Sequence, residues 1–352
     1  QRPFNLASDL MLRATLLEIE PTEHIFILVM HHIASDGWSM EKLFQELIVL
    51  YSAFSTKSPN PLAELPIQYA DFACWQRQWF TEEKLKIQLE YWQNKLAGMP
   101  ALIELATDHS RPLVQTFKGD QQKFYITKQL TSKLQQLSQQ TKGTLFMTLF
   151  TAFIALLARY TNSDDIVVGS PIANRNRREI EPLIGFFVNT LVLRTDLSGN
   201  PTFQDLLIQV RQVALEAYDH QDVPFEQLVE HLHPERNLAY HPLFQIMFVL
   251  QNATKSGLNL SGVEVSDFEI TDITAKFDIT MIINETEQGL TGHLEYNSDL
   301  FEANTITRMI GHFQVLLEGI VNQPETSISE LPLITKAEQQ QLLVEWNQTQ
   351  TE

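Results

Sequence analysis

The run from Thr144 to Tyr160 most constrains how this chain folds, because Leu145, Phe146, Leu149, Phe150, Phe153, Ile154, Leu156 and Leu157 make a helix apolar on nearly every side. Such a helix has no face to give to water and must be enclosed by other elements. Gly143 separates it from a second helical stretch, Thr131 to Gln140. Apolar runs and alternations predict strands at 14–20, 24–30, 123–127, 165–169, 188–195, 242–250, 263–270, 277–284 and 290–296. Spacing near 3.6 residues predicts further helices at 39–54, 67–80, 82–96, 201–218 and 303–321, with Ser39 as the N-cap of the first. Strands and helices alternate twice, the pattern of an α/β or α+β pair of lobes. The 352 residues, 44% of them hydrophobic, suffice for two cores.

A formal net charge of -18 argues against binding a phosphate backbone, which needs clustered Lys and Arg. The one basic cluster, Arg175, Arg177 and Arg178, lies near Glu179 and Glu181 and reads as a locally paired surface. A single cysteine, Cys74, rules out an intrachain disulfide and suits a reducing compartment. Its place in the helical run 69–80 predicts a buried, inert thiol. No apolar run approaches the length of a membrane span, and Gln1-Arg2-Pro3-Phe4-Asn5 does not open a signal peptide. The expected location is cytoplasmic. Two prolines bracket a polar linker at 55–61, and the Gln-rich end reads as an exit linker.

The apolar run Ile25 to Val29 leads directly into Met30-His31-His32-Ile33-Ala34-Ser35-Asp36-Gly37-Trp38-Ser39. Adjacent residues at a strand end point to opposite faces, so at most one histidine faces a given cleft. Asp36 and Gly37 fall at the turn before a helix, where a base can be held in place. Asp36 can accept hydrogen bonds or pair with an arginine; Gly37 permits a tight bend or close backbone approach. Spacing alone reads as a catalytic base with a supporting carboxylate, with satisfied core histidines as the open alternative. A zinc site needs three or four ligands, and His31, His32 and Asp36 lack the helical spacing that sets two histidines on a metal, so none is expected. The chain has no Gly-x-Ser-x-Gly elbow, phosphate loop or dinucleotide fingerprint. A base without a protein-borne nucleophile implies direct transfer between two substrates.

This segment resembles the His-His-x-x-x-Asp-Gly signature of the condensation domains of nonribosomal peptide synthetases. Further matches follow in family order: Tyr69-Ala70-Asp71-Phe72-Ala73-Cys74-Trp75, then Ile184-Gly185-Phe186-Phe187-Val188-Asn189-Thr190 with Arg194. His220-Gln221-Asp222-Val223-Pro224-Phe225-Glu226 and the segment Arg236 to Phe248, containing His241-Pro242-Leu243-Phe244-Gln245, complete the series. The resemblance implies two chloramphenicol-acetyltransferase-like lobes in a V-shaped pseudo-dimer with a tunnel between them. It divides the chain into the rest of an N-terminal lobe at 1–62, a C-terminal lobe at 63–335 and a linker toward an adenylation domain at 336–352. Two family motifs precede the signature and are not in this sequence, nor is the arginine expected to pair with Asp36. The first lobe is therefore expected to be incomplete and the chain to be a poorly stable fragment.

The implied reaction joins a donor acyl or peptidyl thioester to an acceptor aminoacyl thioester, both on phosphopantetheine arms of carrier proteins. The domain itself is expected to bind no cofactor. Its implied partners are the upstream donor and downstream acceptor carrier proteins and the adjacent adenylation domain, with neither nucleic acid nor membrane. His32 is the implied base or positioning group, His31 packs inward, Asp36 holds the loop, and Gly37 offers a backbone N–H. Trp38, Ser39, Asn189 and His220 are implied at the substrate tunnel. The run Ser35 to Ser39 and the Pro242-Leu243-Phe244-Gln245 context imply the subtype that joins two L-residues, rather than an epimerisation or heterocyclisation domain. The alternative from another class is a catalytically silent module of the same fold that recruits carrier proteins or a tailoring enzyme.

Overall fold

The computed structural model describes residues 2–235, 237–251, 258–266, 268 and 273–348. They form two compact units, one from the described parts of 1–85, 172–189 and 255–268, the other from the described parts of 86–171, 190–254 and 269–352.

In the first unit, β1 (Leu12–Glu20) pairs antiparallel with β2 (Glu23–Met30), Leu12 opposite Met30 and Leu17 opposite Ile25. The two strands form a sheet of their own, and Leu12, Leu16, Leu17, Phe26 and Val29 are exposed on it. A short 3-10 turn, His32–Ala34, leads from β2 into α1 (Gly37–Ser55). The N-cap is Asp36, not Ser39: Asp36 has extended backbone and its carboxylate accepts the Ser39 N–H at 2.8 Å. Ser39 is thus already inside the helix. After the exposed linker, α2 (Tyr69–Trp79) buries Phe72 in a small core with Ile180, Leu183 and Phe187, against which Tyr69 and Trp75 pack. Cys74 is exposed, not buried. Two residues past Phe72 is the far side of a helix with 3.6 residues per turn.

From α3 (Glu82–Leu96) the chain enters the second unit. There β3 (Gly119–Thr127), α4 (Lys128–Gln140), α5 (Leu145–Thr161), β4 (Asp165–Ile172), β5 (Asn189–Asp196), α6 (Phe203–Asp219) and α7 (Phe225–Leu232) follow. Then come β6 (Ile246–Gln251), β7 (Ile279–Thr286), β8 (Gly289–Asn297), α8 (Ala303–Asn322) and α9 (Lys336–Gln340). The sheet order is β3-β8-β7-β6-β4-β5, mixed in direction: β6 runs parallel to β4 and β7, while β8 runs antiparallel to β3 and β7. Every residue of α5 from Met147 to Leu157 is buried, as its composition demands.

Two expected strands are corrected, and one helix is unexpected. The helix α7 is not among the elements that the spacing predicts. The strand at 242–250 starts only at Ile246, because Leu243 sits in the left-handed region (φ 67°) and Gln245 turns its side chain to the Ile103 N–H and the Ala101 and His241 carbonyls. Of the strand expected at 263–270, Val263 makes an isolated bridge to Leu260 and 264–266 are not strand; Asp267, Glu269 and Ile270 lie outside the described residues. Arg236 and 349–352 lie outside them too. The tail expected as a linker opens with α9, whose Glu338 meets His312 at 2.9 Å. Among the described residues, no single helix is long and apolar enough to cross a membrane.

Candidate active site

Histidines 31 and 32 leave the end of β2 in different environments, His31 half-buried and His32 exposed. His31 Nδ1 accepts the Ile33 N–H at 3.1 Å, which leaves any neutral-ring proton on Nε2. His32 is the reverse. Its Nδ1 lies 2.6 Å from the Ser35 carbonyl oxygen, which can only accept, so Nδ1 carries a proton and in the neutral ring Nε2 does not. Phe186 meets the His32 ring edge to face at 5.3 Å. In their neutral forms the neighbouring imidazoles thus take opposite tautomers, His31 with Nδ1 as acceptor and His32 with Nδ1 as donor.

Behind them Asp36 is buried, its side chain 3% exposed. One carboxylate oxygen caps α1 and the other accepts the Phe187 N–H at 2.9 Å. Its cation is Arg175, at 3.2 Å, and that side chain is 1% exposed. Two expectations fall together here: the arginine for Asp36 is in this chain, and Arg175 is no part of a paired surface. Arg175 also donates to the Ile180 and Leu183 carbonyls and to the Ser39 hydroxyl, and stacks 4.0 Å over Phe187. Burial pushes the Asp36 carboxyl upward, but the Phe187 and Ser39 N–H groups and the Arg175 guanidinium outweigh it and hold it below its ordinary value. Burial pulls the guanidinium down from its own ordinary value against the pull of Asp36. The sequence signal that could have found this pair was the need of a buried carboxylate for a cation.

The remaining candidates separate. Ser39 is fully buried and saturated: it donates to the Gly185 carbonyl at 2.7 Å and accepts from Gly185 N–H and Arg175, so it braces the loop and has no group left for a tunnel. Trp38 donates its indole N–H to the Glu181 carbonyl at 2.9 Å and so also ties α1 to the 175–187 segment. Tyr69 holds the same segment through the Phe186 carbonyl at 2.8 Å, and burial, then the charge of Asp36, raises its phenol pKa. Gly37 is the first residue of α1, without a left-handed φ, and a Cβ built on it meets nothing within 4 Å. No bend requires a glycine there. Asn189 is buried at the start of β5. His220, in the second unit, caps α6, stacks on Tyr91 at 3.7 Å and points Nδ1 at the Glu216 carbonyl. Among the described residues no three His, Cys, Asp or Glu side chains gather as a metal site.

The loop thus carries an exposed imidazole, His32, and a buried Asp36–Arg175 pair. A model of the condensation domain matches residues 1–343. The chain belongs to the condensation-domain family. A linear gramicidin synthase protein of Brevibacillus parabrevis is 52% identical over 99% of this chain, and tyrocidine synthase 3 of the same organism is 39% identical over 99%. This condensation domain spans 7% and 5% of those proteins. Among solved structures, a four-domain nonribosomal peptide synthetase with AMP and glycine bound is similar at a TM-score of 0.84 and 26% identity, over 96% of this chain and 26% of that one. The X-domain from teicoplanin biosynthesis is similar at a TM-score of 0.84 and 26% identity, over 95% and 77%.

Proposed function

We propose that this condensation domain forms an amide bond between a donor acyl or peptidyl thioester and an acceptor aminoacyl thioester, each carried on the phosphopantetheine arm of a carrier protein. The observation that carries the reading is the exposed His32 ring, whose Nδ1–H donates to the Ser35 carbonyl and so leaves Nε2 as the basic nitrogen of the neutral ring. In the reaction the acceptor amine attacks the donor carbonyl, Nε2 takes a proton from the attacking nitrogen, the C–N bond forms, and the donor C–S bond breaks to release a thiol that recovers the proton. Asp36 and Arg175 hold the loop rather than move protons. The Gly37 N–H, at the first position of α1, has no intrahelical partner and is available to a developing oxyanion. The domain needs no resident cofactor for this chemistry.

The proposed architecture is a pair of acetyltransferase-like lobes, with β1, β2 and α1 belonging to the first and the six-stranded sheet to the second. The isolated two-stranded hairpin with apolar side chains exposed supports a first lobe that is only partly represented in these residues. The proposed partners are donor and acceptor carrier proteins and an adenylation domain of the same cytoplasmic polypeptide, and the proposed subtype joins two L-residues.

The test loads both carrier proteins beside the domain in its synthetase and follows the dipeptidyl thioester by mass spectrometry. Product is expected from the wild type, and His32→Ala is expected to cut its rate by about a hundredfold or more. A wild type that makes no product while binding both loaded carriers would instead mark a silent docking module.

A further inference from the structure

The hairpin turns most of its apolar side chains to solvent, yet the one residue of β1 that is not exposed is Arg13. Its guanidinium stands 3.8 Å over the Phe4 ring. It donates to the Arg2 carbonyl at 2.6 Å, the Pro3 carbonyl at 3.0 Å and the Asp9 carboxylate at 2.7 Å. Asp9 in turn accepts the Asn5 N–H at 3.2 Å, and the Ser8 and Asp9 N–H groups close onto the Asn5 carbonyl. One guanidinium therefore folds residues 2–9 into a strap along β1. Arg13 spends its donors on main-chain carbonyls as well as on Asp9, so the strap is held as a shape rather than by one ion pair.

What the strap delivers is Phe4, which meets the His31 ring edge to face at 5.7 Å and 80°. His31 is held at two other points, its N–H on the Met11 carbonyl at 2.9 Å and its Nδ1 under the Ile33 N–H. That second contact caps the 3-10 turn His32–Ala34, and the turn's far end is where His32 Nδ1 finds the Ser35 carbonyl. Contacts thus run from Asp9 through Arg13 and Phe4 to His31, and through the turn to His32. Edge-to-face contact with an aromatic ring restricts how the imidazole can rotate.

We propose that Phe4 and Arg13 are positioning residues for the reaction, clamping His31 so that the turn presents His32 in the Nδ1-H tautomer. Their catalytic consequence rests on the function proposed above; the clamp itself does not. The discriminating experiment labels the histidines of the full chain isotopically and reads the tautomer of each ring from its nitrogen chemical shifts. The wild type is expected to show His31 as the Nε2-H form and His32 as the Nδ1-H form. In Phe4→Ala and Arg13→Ala, both rings are expected to move toward a mixture of tautomers, and Phe4→Tyr to restore the wild-type pattern. In the loaded-carrier assay the two alanine variants should lower kcat about tenfold with KM within about twofold, as misplacement of one group does. Unchanged ring shifts in a folded Phe4→Ala would overturn the clamp, even if Arg13→Ala fails to fold. Ring shifts that respond as expected in a wild type that makes no amide would refute the proposed function and leave the clamp standing.

Discussion

Asp36 serves three partners with one carboxylate: it caps α1, holds the Phe187 N–H and neutralises Arg175. Asp36→Asn keeps an acceptor for the cap but strands a guanidinium whose side chain is 1% exposed. Breaking a buried pair on one side costs about 3 kcal/mol or more, which a urea titration at pH 7 should show as a lower midpoint. The folded pKa of Asp36 is depressed, so its contribution is complete above the unfolded value near ~3.9 and is lost as pH falls through the folded value. The gap between wild type and Asp36→Asn should therefore hold from pH 7 to 5 and narrow only below about pH 4; a gap that closes above pH 5 would point to another group. Gly37 behaves oppositely. A Cβ there meets nothing within 4 Å, so Gly37→Ala should fold within about 1 kcal/mol of wild type or better, yet lose about tenfold or more in amide formation where its methyl meets substrate. At this scale the sequence made the histidines, Asp36 and Gly37 legible, since they stand together in ten residues. Arg175 was hidden because it lies 139 residues from Asp36 and beside two other arginines, and residue type carries no sign of which of three is buried.

The elements most legible in the sequence were those whose side-chain pattern admits one environment. α5, apolar on all sides, is enclosed along its length, and α1 and α8 repeat at helical spacing over 19 and 20 residues. What escaped is short or set by tertiary contacts: α7 has eight residues behind Pro224, and the start of β6 depends on where the Gln245 amide finds backbone partners. The segment carrying Gly185 shows such a tertiary constraint with a measurable consequence. A Cβ on Gly185 would stand 2.2 Å from the Tyr69 ring, and that ring cannot yield easily, since its hydroxyl is bonded to Phe186 and it packs against the Phe72 and Phe187 rings. Gly185→Ala should therefore destabilise the chain by about 2 kcal/mol in urea. It should also shift the Phe187 N–H away from Asp36, so the pH-dependent part of the Asp36 contribution should shrink with it. Full wild-type stability in Gly185→Ala would mean that the segment moves freely and does not brace Asp36.

At the scale of the whole molecule the two units are stabilised by different means. The second encloses α5, from which eleven consecutive side chains are buried, inside a six-stranded sheet and further helices. The first has a core of Phe72, Ile180, Leu183 and Phe187, a buried ion pair, and a hairpin that leaves Leu16 at 64% and Phe26 at 43% exposure. Apolar burial supplies most of a domain's stability at about 25 cal/mol per Å², whereas a buried ion pair gains little over its desolvation cost. The first unit should therefore open before the second. The tryptophans make this separable: Trp38, Trp75 and Trp79 belong to the first unit, while in the second Trp92 is buried and Trp346 already faces solvent. The helical signal comes mainly from α3, α4, α5, α6 and α8, most of it in the second unit. Tryptophan emission should consequently change at a urea midpoint about 0.5 M or more below that of far-ultraviolet circular dichroism, a breakdown of two-state behaviour. Trp92→Phe should leave the early emission change intact, because that ring reports the second unit. Coincident emission and dichroism curves would show instead that the units unfold as one cooperative body, and that Asp36→Asn lowers the stability of the whole chain rather than of the first unit alone.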